Sequence, residues 1–312
     1  MRTLFLGGVA LIAALGVAQA QDKPLLGLVS ITATEASNAR YIAGAQKAAD
    51  EKGWEVSVID AQGSADQANA GIQNFAQRGA DAIVAMVFPV SSLGAGLAAA
   101  KDAGIPVATW GGGLGSTVVA TNGSGGPMAI PVVDKMVEDL GGKGEVLALT
   151  YRTGEVCRNR EVAMDEILAN HPDINVTKNE VRIPGFFEDG AQYATAWLAL
   201  HPPGSGNLAI WGCWDDPSIG AISALRQAGR DDVKVYGING NAQALENIQK
   251  GFMTATAWED SFIEGYNMVN ILGEVIEAGD AWEAKAVEVP AVLVTGETVE
   301  QFVKDNPETI GQ

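Results

Sequence analysis

The sequence predicts an α/β protein with two Rossmann-like lobes, each a parallel sheet flanked by helices. Short apolar runs rich in β-branched residues alternate with longer, alanine-rich stretches of helical period. Strands that are apolar along their whole length and separated by helices are typical of parallel sheets covered on both faces. The alternation restarts after a glycine-rich stretch in mid-chain, and 312 residues are enough for two domains.

The first array of elements occupies roughly the first third of the chain. Apolar runs predict its strands at 25–31, 55–59, 82–88 and 105–110. Alanine and larger apolar residues at helical spacing predict its helices over about 37–52, 65–76 and 97–103. The first helix is expected to end at Gly53, because glycine readily adopts the left-handed backbone of a helix C-cap.

The second array repeats this order after the glycine-rich segments 111–115 and 123–126. Its strands are predicted at 145–150, 175–183, 208–212 and 233–238. Its helices are predicted over 155–170 and 189–200, and a third helix is expected to end near Gly229. The remaining tail carries a strand at 254–258, a helix to Gly279 and one strand over 287–294. A tail of this size indicates that the chain crosses back between the lobes.

Charge excludes two kinds of partner. The chain has 20 Lys and Arg against 38 Asp and Glu, a net charge of −18. Phosphate backbones and anionic lipid surfaces repel such a protein, so we expect no nucleic-acid partner. No later stretch approaches 18 uninterrupted apolar residues, and we therefore expect no membrane insertion of the mature chain.

The N-terminus has the features of a secretory signal peptide over residues 1–20. Arg2 precedes an apolar run at 4–17, and the small-x-small site Ala18-Gln19-Ala20 follows it. Cleavage after Ala20 would deliver the protein to the periplasm. Cys157 and Cys213 are the chain's two cysteines, and in an exported protein they either form one disulfide or stay reduced.

Signatures of catalysis and of cofactor binding are missing from the sequence. There is no nucleophile elbow, no HExxH and no phosphate loop, and the cysteines lack the spacing of a metal site. The glycines at 111–115 precede a strand-like run rather than a helix, so a dinucleotide would lack its helix N-terminus there. We therefore expect no enzyme, no cofactor and no metal.

Aromatic and polar residues gather where the predicted parallel strands end. Four of the seven tryptophans, Trp110, Trp211, Trp214 and Trp258, fall at such ends. Ligands of open parallel sheets bind beyond the carboxyl ends of the strands. Aromatic rings stack on apolar C–H faces while carboxylate, amide and guanidinium groups bind hydroxyls. The pattern therefore favours a small hydroxylated ligand.

Several segments resemble the type I periplasmic binding proteins of the ribose- and galactose-binding kind. They are GAQKAAD at 44–50, GIPV at 104–107, the stretch 220–229 and VYGING at 235–240. The resemblance covers essentially the whole mature chain. It implies two lobes joined by a three-crossover hinge, which close on a ligand. The implied lobes are 21–121 with 259–287, and 122–258 with 288–312. A monomer that delivers its solute to an ABC permease is the implied function.

The resemblance also assigns ligand contacts residue by residue. The ligand-binding arginine of this family matches Arg160 best, and Arg158 is the alternative. The aromatic residue in the family's next loop matches Phe186 or Phe187. The full set of expected ligand-binding residues is Glu35, Ser37, Asn38, Trp110, Gly111, Arg158, Arg160, Phe186, Phe187, Trp214, Asp215, Asn239, Trp258 and Glu259. Cys157 and Cys213 each follow a strand of the second lobe, and those two strands are neighbours in this fold type, which places a disulfide within reach.

One departure from the ribose-binding pattern bears on the ligand. Gly111 and Gly112 replace an Asp-Arg pair that would clamp the sugar. We therefore expect a sugar, polyol or sugar derivative other than a simple aldose bound in the ribose manner. The alternatives are a module that reports to a sensor kinase or chemoreceptor, a receptor for a non-sugar small molecule, and a secreted enzyme.

Overall fold

The computed structural model describes residues 23–123, 125–287 and 289–310. In this part of the chain two six-stranded sheets form two lobes. The predicted signal peptide lies outside the described residues. No helix within them combines the length and apolar character of a bilayer span.

The helices and strands alternate along the chain as the sequence predicts. The strands are β1 (Leu25–Ser30), β2 (Glu55–Asp60), β3 (Ala82–Met86), β4 (Val107–Trp110), β5 (Val118–Asn122), β6 (Gly144–Thr150), β7 (Ile174–Glu180), β8 (Leu208–Gly212), β9 (Val233–Asn239), β10 (Ala255–Trp258), β11 (Lys285–Ala286) and β12 (Val292–Thr295). The helices are α1 (Ala36–Lys52), α2 (Ala65–Arg78), α3 (Gly94–Asp102), α4 (Gly126–Leu140), α5 (Glu155–Leu168), α6 (Phe186–Leu200), α7 (Asp215–Ala228), α8 (Ala242–Gln249), α9 (Ser261–Ala278) and α10 (Val299–Asp305).

Both sheets are dominated by parallel pairing. The first has the order β11-β5-β4-β3-β1-β2 and the second β12-β10-β9-β8-β6-β7. Only β12, among the described strands, runs antiparallel to its neighbour. Helices pack on the strands of both sheets. The predicted α/β fold class with two Rossmann-like lobes is confirmed.

The chain passes between the sheets three times. It leaves the first sheet after β5, returns to that lobe after β10, and crosses again between β11 and β12. The prediction of one strand over 287–294 is wrong, because β11 and β12 are two short strands of different sheets. Pro290 lies between them, and proline has no N–H with which to continue a ladder.

Two close backbone approaches fix the second crossing against the first lobe. Helix α9 follows that crossing and packs on α1. A Cβ at Gly44 of α1 would lie 1.9 Å from the carbonyl oxygen of Phe262, and one at Gly265 of α9 would lie 2.0 Å from that of Tyr41. Only glycine allows the two helices to lie this close.

A disulfide joins Cys157, in the first turn of α5, to Cys213, directly after β8. The two Cα atoms are 5.2 Å apart, and 56 positions separate the residues in sequence. The bond thus joins the beginning of helix α5 to the carboxyl end of strand β8.

Replacing both cysteines with serine is expected to lower the free energy of unfolding by about 2–4 kcal/mol. A crosslink over so long a loop restricts the unfolded chain, so its loss makes unfolding more favourable. Urea denaturation of the double variant and the oxidised wild type measures the difference. Equal midpoints and equal slopes would show that the crosslink adds no stability.

Candidate functional site: the cavity between the lobes

A cavity lies between the two lobes, at the carboxyl ends of the parallel strands. This is where ligands of open parallel sheets bind. Its wall combines aromatic and aliphatic side chains with a few charged and amide groups. The lining residues are Ile31, Thr32, Glu35, Asn38, Val87, Trp110, Gly123, Tyr151, Val156, Cys157, Arg160, Ile183, Trp214, Asn239 and Glu259.

The lobes touch each other beside this cavity. The backbone N–H of Glu155, in the second lobe, donates to the carbonyl of Val87, in the first, at 3.0 Å. Val87 adopts a left-handed φ of 74°, which is strained for a β-branched residue. A Cβ at Gly111 would lie 2.2 Å from Cγ2 of Val156, so the two lobes meet there as well.

The first lobe contributes the N-terminus of α1. Glu35 caps this helix, and its Oε2 accepts from the backbone N–H of Asn38 at 2.9 Å. Its Oε1 and the Oδ1 of Asn38 are buried and have no hydrogen-bond partner in the structure. Buried acceptors are normally paired, so both atoms are available to accept a hydrogen bond from a ligand.

Burial sets the protonation of Glu35. It raises the pKa of this carboxyl, and the backbone N–H groups of Asn38 and Ser37, the charge of Arg160 and the amide of Asn239 only partly oppose the effect. The proton affinity of Glu35 therefore depends on which groups share the cavity with it.

Arg160 places a buried guanidinium in the opposite wall. Its Nη1 donates to the carbonyl of Cys213 at 2.8 Å, and its Nη2 pairs with Oε1 of Glu259 at 3.4 Å. Both side chains of this ion pair are only 3% exposed. Glu259 lies at the second crossing between the lobes, so the pair links α5 to the hinge.

The indole of Trp110 is held from behind. Its Nε1 donates to Oε2 of Glu264 at 2.9 Å, and its ring stacks on Tyr41 with centroids 4.8 Å apart. Asn122 donates from its side chain to the carbonyl of Glu264. Burial and the nearby Glu259 raise the pKa of Glu264. These contacts fix the ring in the cavity wall.

Trp214 forms the aromatic wall of the second lobe. Its ring lies edge-to-face with Tyr151, with ring centroids 6.0 Å apart, and edge-to-face with Phe186, with centroids 5.6 Å apart. Edge-to-face pairs of this kind hold the rings in defined orientations. Trp110 and Trp214 thus present apolar surface to the cavity from the two lobes.

Below the cavity floor the second lobe contains a network of buried carboxyls. Asp215 accepts from Oγ1 of Thr256 at 2.7 Å and from the backbone N–H of Asn241 at 2.9 Å. Asp216 accepts from the side-chain amide of Asn241 at 2.7 Å. Burial raises the pKa of Asp215 to about 7, and it raises the pKa of Asp216 as well.

The structure brings together half of the residues that the sequence predicts as ligand contacts. Those that line the cavity are Glu35, Asn38, Trp110, Arg160, Trp214, Asn239 and Glu259. They come from both lobes and from the hinge. Arg158, the alternative to Arg160, is not among the lining residues: its side chain is 43% exposed and pairs with Glu155.

Three further predicted residues support the wall without lining it. Ser37 is buried one position before Asn38 and donates its backbone N–H to Glu35. Phe186 lies against Trp214, and Asp215 is enclosed in the network below the floor. They are placed here because helix N-termini bury their first turns against the strands.

Three predicted residues lie elsewhere. Phe187 is 37% exposed in the first turn of α6, which begins three residues before the predicted start. Trp258 packs edge-on against Phe302 instead of facing the cavity. Gly111 donates its N–H to the carbonyl of Asn122, and Val156 fills the space its missing side chain leaves. The N–H group of Gly111 is therefore used within the lobe.

Several lining residues are not among those predicted from the sequence. Tyr151 follows directly after β6. The rule that ligands bind beyond the carboxyl ends of parallel strands, here called the strand-end rule, would therefore have selected it. Val87 was counted within a strand, but β3 ends at Met86. Besides these two, the unselected residues are Ile31, Thr32, Gly123, Val156, Cys157 and Ile183. Ile31, Val156 and Ile183 are aliphatic and carry no chemical signal.

The comparisons agree with this architecture. The model of the periplasmic binding protein domain matches residues 27–280. The xylitol-binding protein of Mycolicibacterium smegmatis is 26% identical over 71% of this chain, and the match spans only 63% of that relative's length. The ribose import binding protein RbsB of Salmonella typhimurium is 26% identical over 91% of this chain and 89% of that protein.

A solved structure has the same fold. The solute-binding protein of an ABC transporter from Agrobacterium vitis, crystallised with allitol, superposes with a TM-score of 0.82. The sequences are 24% identical, and the alignment covers 91% of this chain and 99% of that one. From the family match and the two-lobed architecture together, the chain belongs to the periplasmic binding protein domain family.

Proposed function

We propose that this chain is the periplasmic solute receptor of an ABC importer and that it binds a polyol, or another small molecule with several hydroxyl groups, between its lobes. The observation that carries the proposal is the cavity between the lobes, with its indole rings and its unpartnered buried acceptors. Indole faces pack on C–H surface, and acceptors bind hydroxyls. The resemblance to a xylitol-binding protein supports the same ligand class.

Closure of the lobes is the proposed mechanism. Glu35, Asn38 and Trp110 come from one lobe, and Arg160 and Trp214 from the other, so a ligand in the cavity would touch both. A ligand that contacts both lobes favours the closed state by its differential affinity. A permease would then recognise the closed pair of lobes. The lobes would move as units 21–121 with 259–287 and 122–258 with 288–312, and no turnover is expected.

The shape of the cavity argues against a simple aldose. Val156 occupies the place that a side chain at position 111 would need, and a Cβ at Gly112 would lie 2.5 Å from the carbonyl oxygen of Phe88. A sugar would find aliphatic surface there rather than hydrogen-bonding groups. A sugar hydroxyl directed at this part of the wall would stay unpaired, at a cost of about 1–3 kcal/mol.

Calorimetric titration of protein stripped of ligand tests this function. We expect micromolar or tighter binding for at least one of xylitol, allitol and myo-inositol, and no sub-micromolar binding of ribose, glucose or galactose. Each bound polyol should raise the melting temperature as binding to the folded state requires. Failure of every polyol to bind would refute the proposed ligand class, and tight ribose binding would refute the argument from Gly111.

A further inference from the structure

Three buried acceptor atoms without hydrogen-bond partners belong to residues that line the cavity. They are Oε1 of Glu35 and Oδ1 of Asn38 and of Asn239. Glu35 and Asn38 are only 6% and 3% exposed. The amide of Asn239 interacts with the carboxyl of Glu35, so residues of the two lobes meet here. A ligand group that satisfies these acceptors must donate several hydrogen bonds.

The backbone holds one of these acceptors in place at a conformational cost. Asn239 ends β9 with a φ of 115°, far outside the usual range of residues other than glycine. Strained backbone persists where the surrounding structure enforces it, and it clusters at ligand sites. Hydrogen bonds of the neighbouring Gly240 and Asn241 to Thr256 and Asp215 fix the turn.

The charges of the cavity are unequal. Among the described lining residues, Glu35 and Glu259 carry carboxylates and Arg160 is the one cation. Arg160 forms its ion pair with Glu259. With two carboxyls and one guanidinium, the lining gains a net negative charge whenever Glu35 is ionised.

A hydroxyl group meets only part of this demand. It donates one hydrogen bond and brings no charge, whereas a primary ammonium donates three and neutralises a carboxylate. A carboxylate or phosphate on the ligand would be repelled. The indole and phenol rings of Trp110, Tyr151 and Trp214 complete a lining that attracts cations.

From this arrangement we infer that the cavity selects polyols that carry one amino group, an amino alditol or an aminocyclitol, and that the ammonium binds to Glu35, Asn38 and Asn239. The inference rests on the proposed function, since the remaining hydroxyls of such a ligand use the rest of the same cavity. It narrows the ligand from polyols in general to their cationic amino derivatives.

The test compares each amine with its neutral parent. The probes are 1-amino-1-deoxyglucitol with glucitol, and an inosamine with myo-inositol, titrated calorimetrically at pH 7 into ligand-stripped protein. We expect the better-bound pair to favour its amine at least tenfold. In Glu35→Gln, which keeps the size of the side chain and an oxygen for the helix cap, the ratio should fall to about one. The melting temperature of each variant monitors folding.

Two more variants sharpen the assignment. Glu188→Gln removes the same charge from an exposed helix start outside the cavity, and the amine preference should survive. Asn239→Gly fits the left-handed backbone but deletes one acceptor, so it should weaken the amine more than its parent, which donates fewer bonds. This variant tests the site even if Glu35→Gln fails to fold.

The outcomes separate the two levels of the argument. If the neutral parents bind as well as the amines or better, the inference is overturned and the proposed function stands. If Glu35→Gln keeps the full amine preference, the assigned ammonium site is overturned. If neither amines nor any neutral polyol bind, the proposed function fails, and the inference that rests on it fails with it.

Discussion

Replacing Arg160 with alanine is expected to remove most polyol affinity and to destabilise the fold at the same time. A hydrogen bond from a charged group contributes about 1.5–3 kcal/mol, so the affinity should fall roughly ten- to hundredfold. The substitution also leaves Glu259 buried without its cation, which typically costs about 3–5 kcal/mol of stability. Calorimetric titration and urea denaturation measure the two effects separately.

A double variant distinguishes the two roles of this arginine. Arg160→Met combined with Glu259→Gln removes both buried charges, so stability should largely return while ligand affinity stays low. Arg158→Ala, two positions away on the same helix, is the matched control. That arginine is partly exposed and pairs with Glu155, so neither affinity nor stability should change by more than about 1 kcal/mol. Unchanged affinity in Arg160→Ala would place the ligand elsewhere.

The strand-end rule explains why so much of the site was predictable. Parallel strands deliver their carboxyl ends to one edge of each sheet, and short loops there leave few positions for a side chain to point away. Trp110 and Trp214 were found in this way, and the family resemblance added Glu35, Arg160 and Asn239. The rule depends only on where apolar runs stop, which the sequence displays directly.

The rule fails where a neighbouring element competes for the same side chain. Trp258 ends a strand as Trp110 does, but the C-terminal helix α10 brings Phe302 against its ring. Phe187 follows a strand, but α6 begins early and turns the side chain toward solvent. Neither contact is visible in a local pattern, because both depend on elements packed from elsewhere in the chain.

The crossing between β11 and β12 was misjudged for a related reason. A nearly continuous apolar run over 287–294 is typical of a buried strand. In the tertiary structure β11 ends before this run and belongs to the first sheet, and only the last residues of the run form β12 of the second sheet. The pattern of apolar residues indicates that a segment is buried, but it does not indicate to which of two sheets the segment belongs.

Lowering the pH from 8 to 5 is expected to stabilise the ligand-free protein. Burial raises the pKa of Glu35, Asp215, Asp216 and Glu264, so the folded state binds more protons than the unfolded chain. Stability therefore falls as the pH rises through the folded-state pKa values. For Asp215, a pKa raised from 3.8 to about 7 corresponds to roughly 4 kcal/mol, lost between about pH 4 and pH 8.

Other carboxyls make the folded state less stable as the pH falls, and they do so only at lower pH. Ion pairs and hydrogen bonds lower the pKa values of Asp139, Glu161 and Asp189, so their stabilisation is lost only as the pH falls below about 4. The free energy of unfolding should thus have its maximum near pH 4–5. Urea denaturation of ligand-stripped protein at pH 4, 5, 6, 7 and 8 traces this profile.

Two variants identify which carboxyls carry the slope. Asp215→Asn cannot ionise, so its stability should vary less between pH 5 and 8 than that of the wild type. Glu188→Gln changes an exposed carboxyl and should leave the wild-type profile unchanged. Bound ligand should alter the profile as well, because it enters the cavity that buries Glu35. A wild-type stability that rises from pH 5 to pH 8 would mean that the buried carboxyls are ionised at no cost, contrary to the burial that the fold imposes on them.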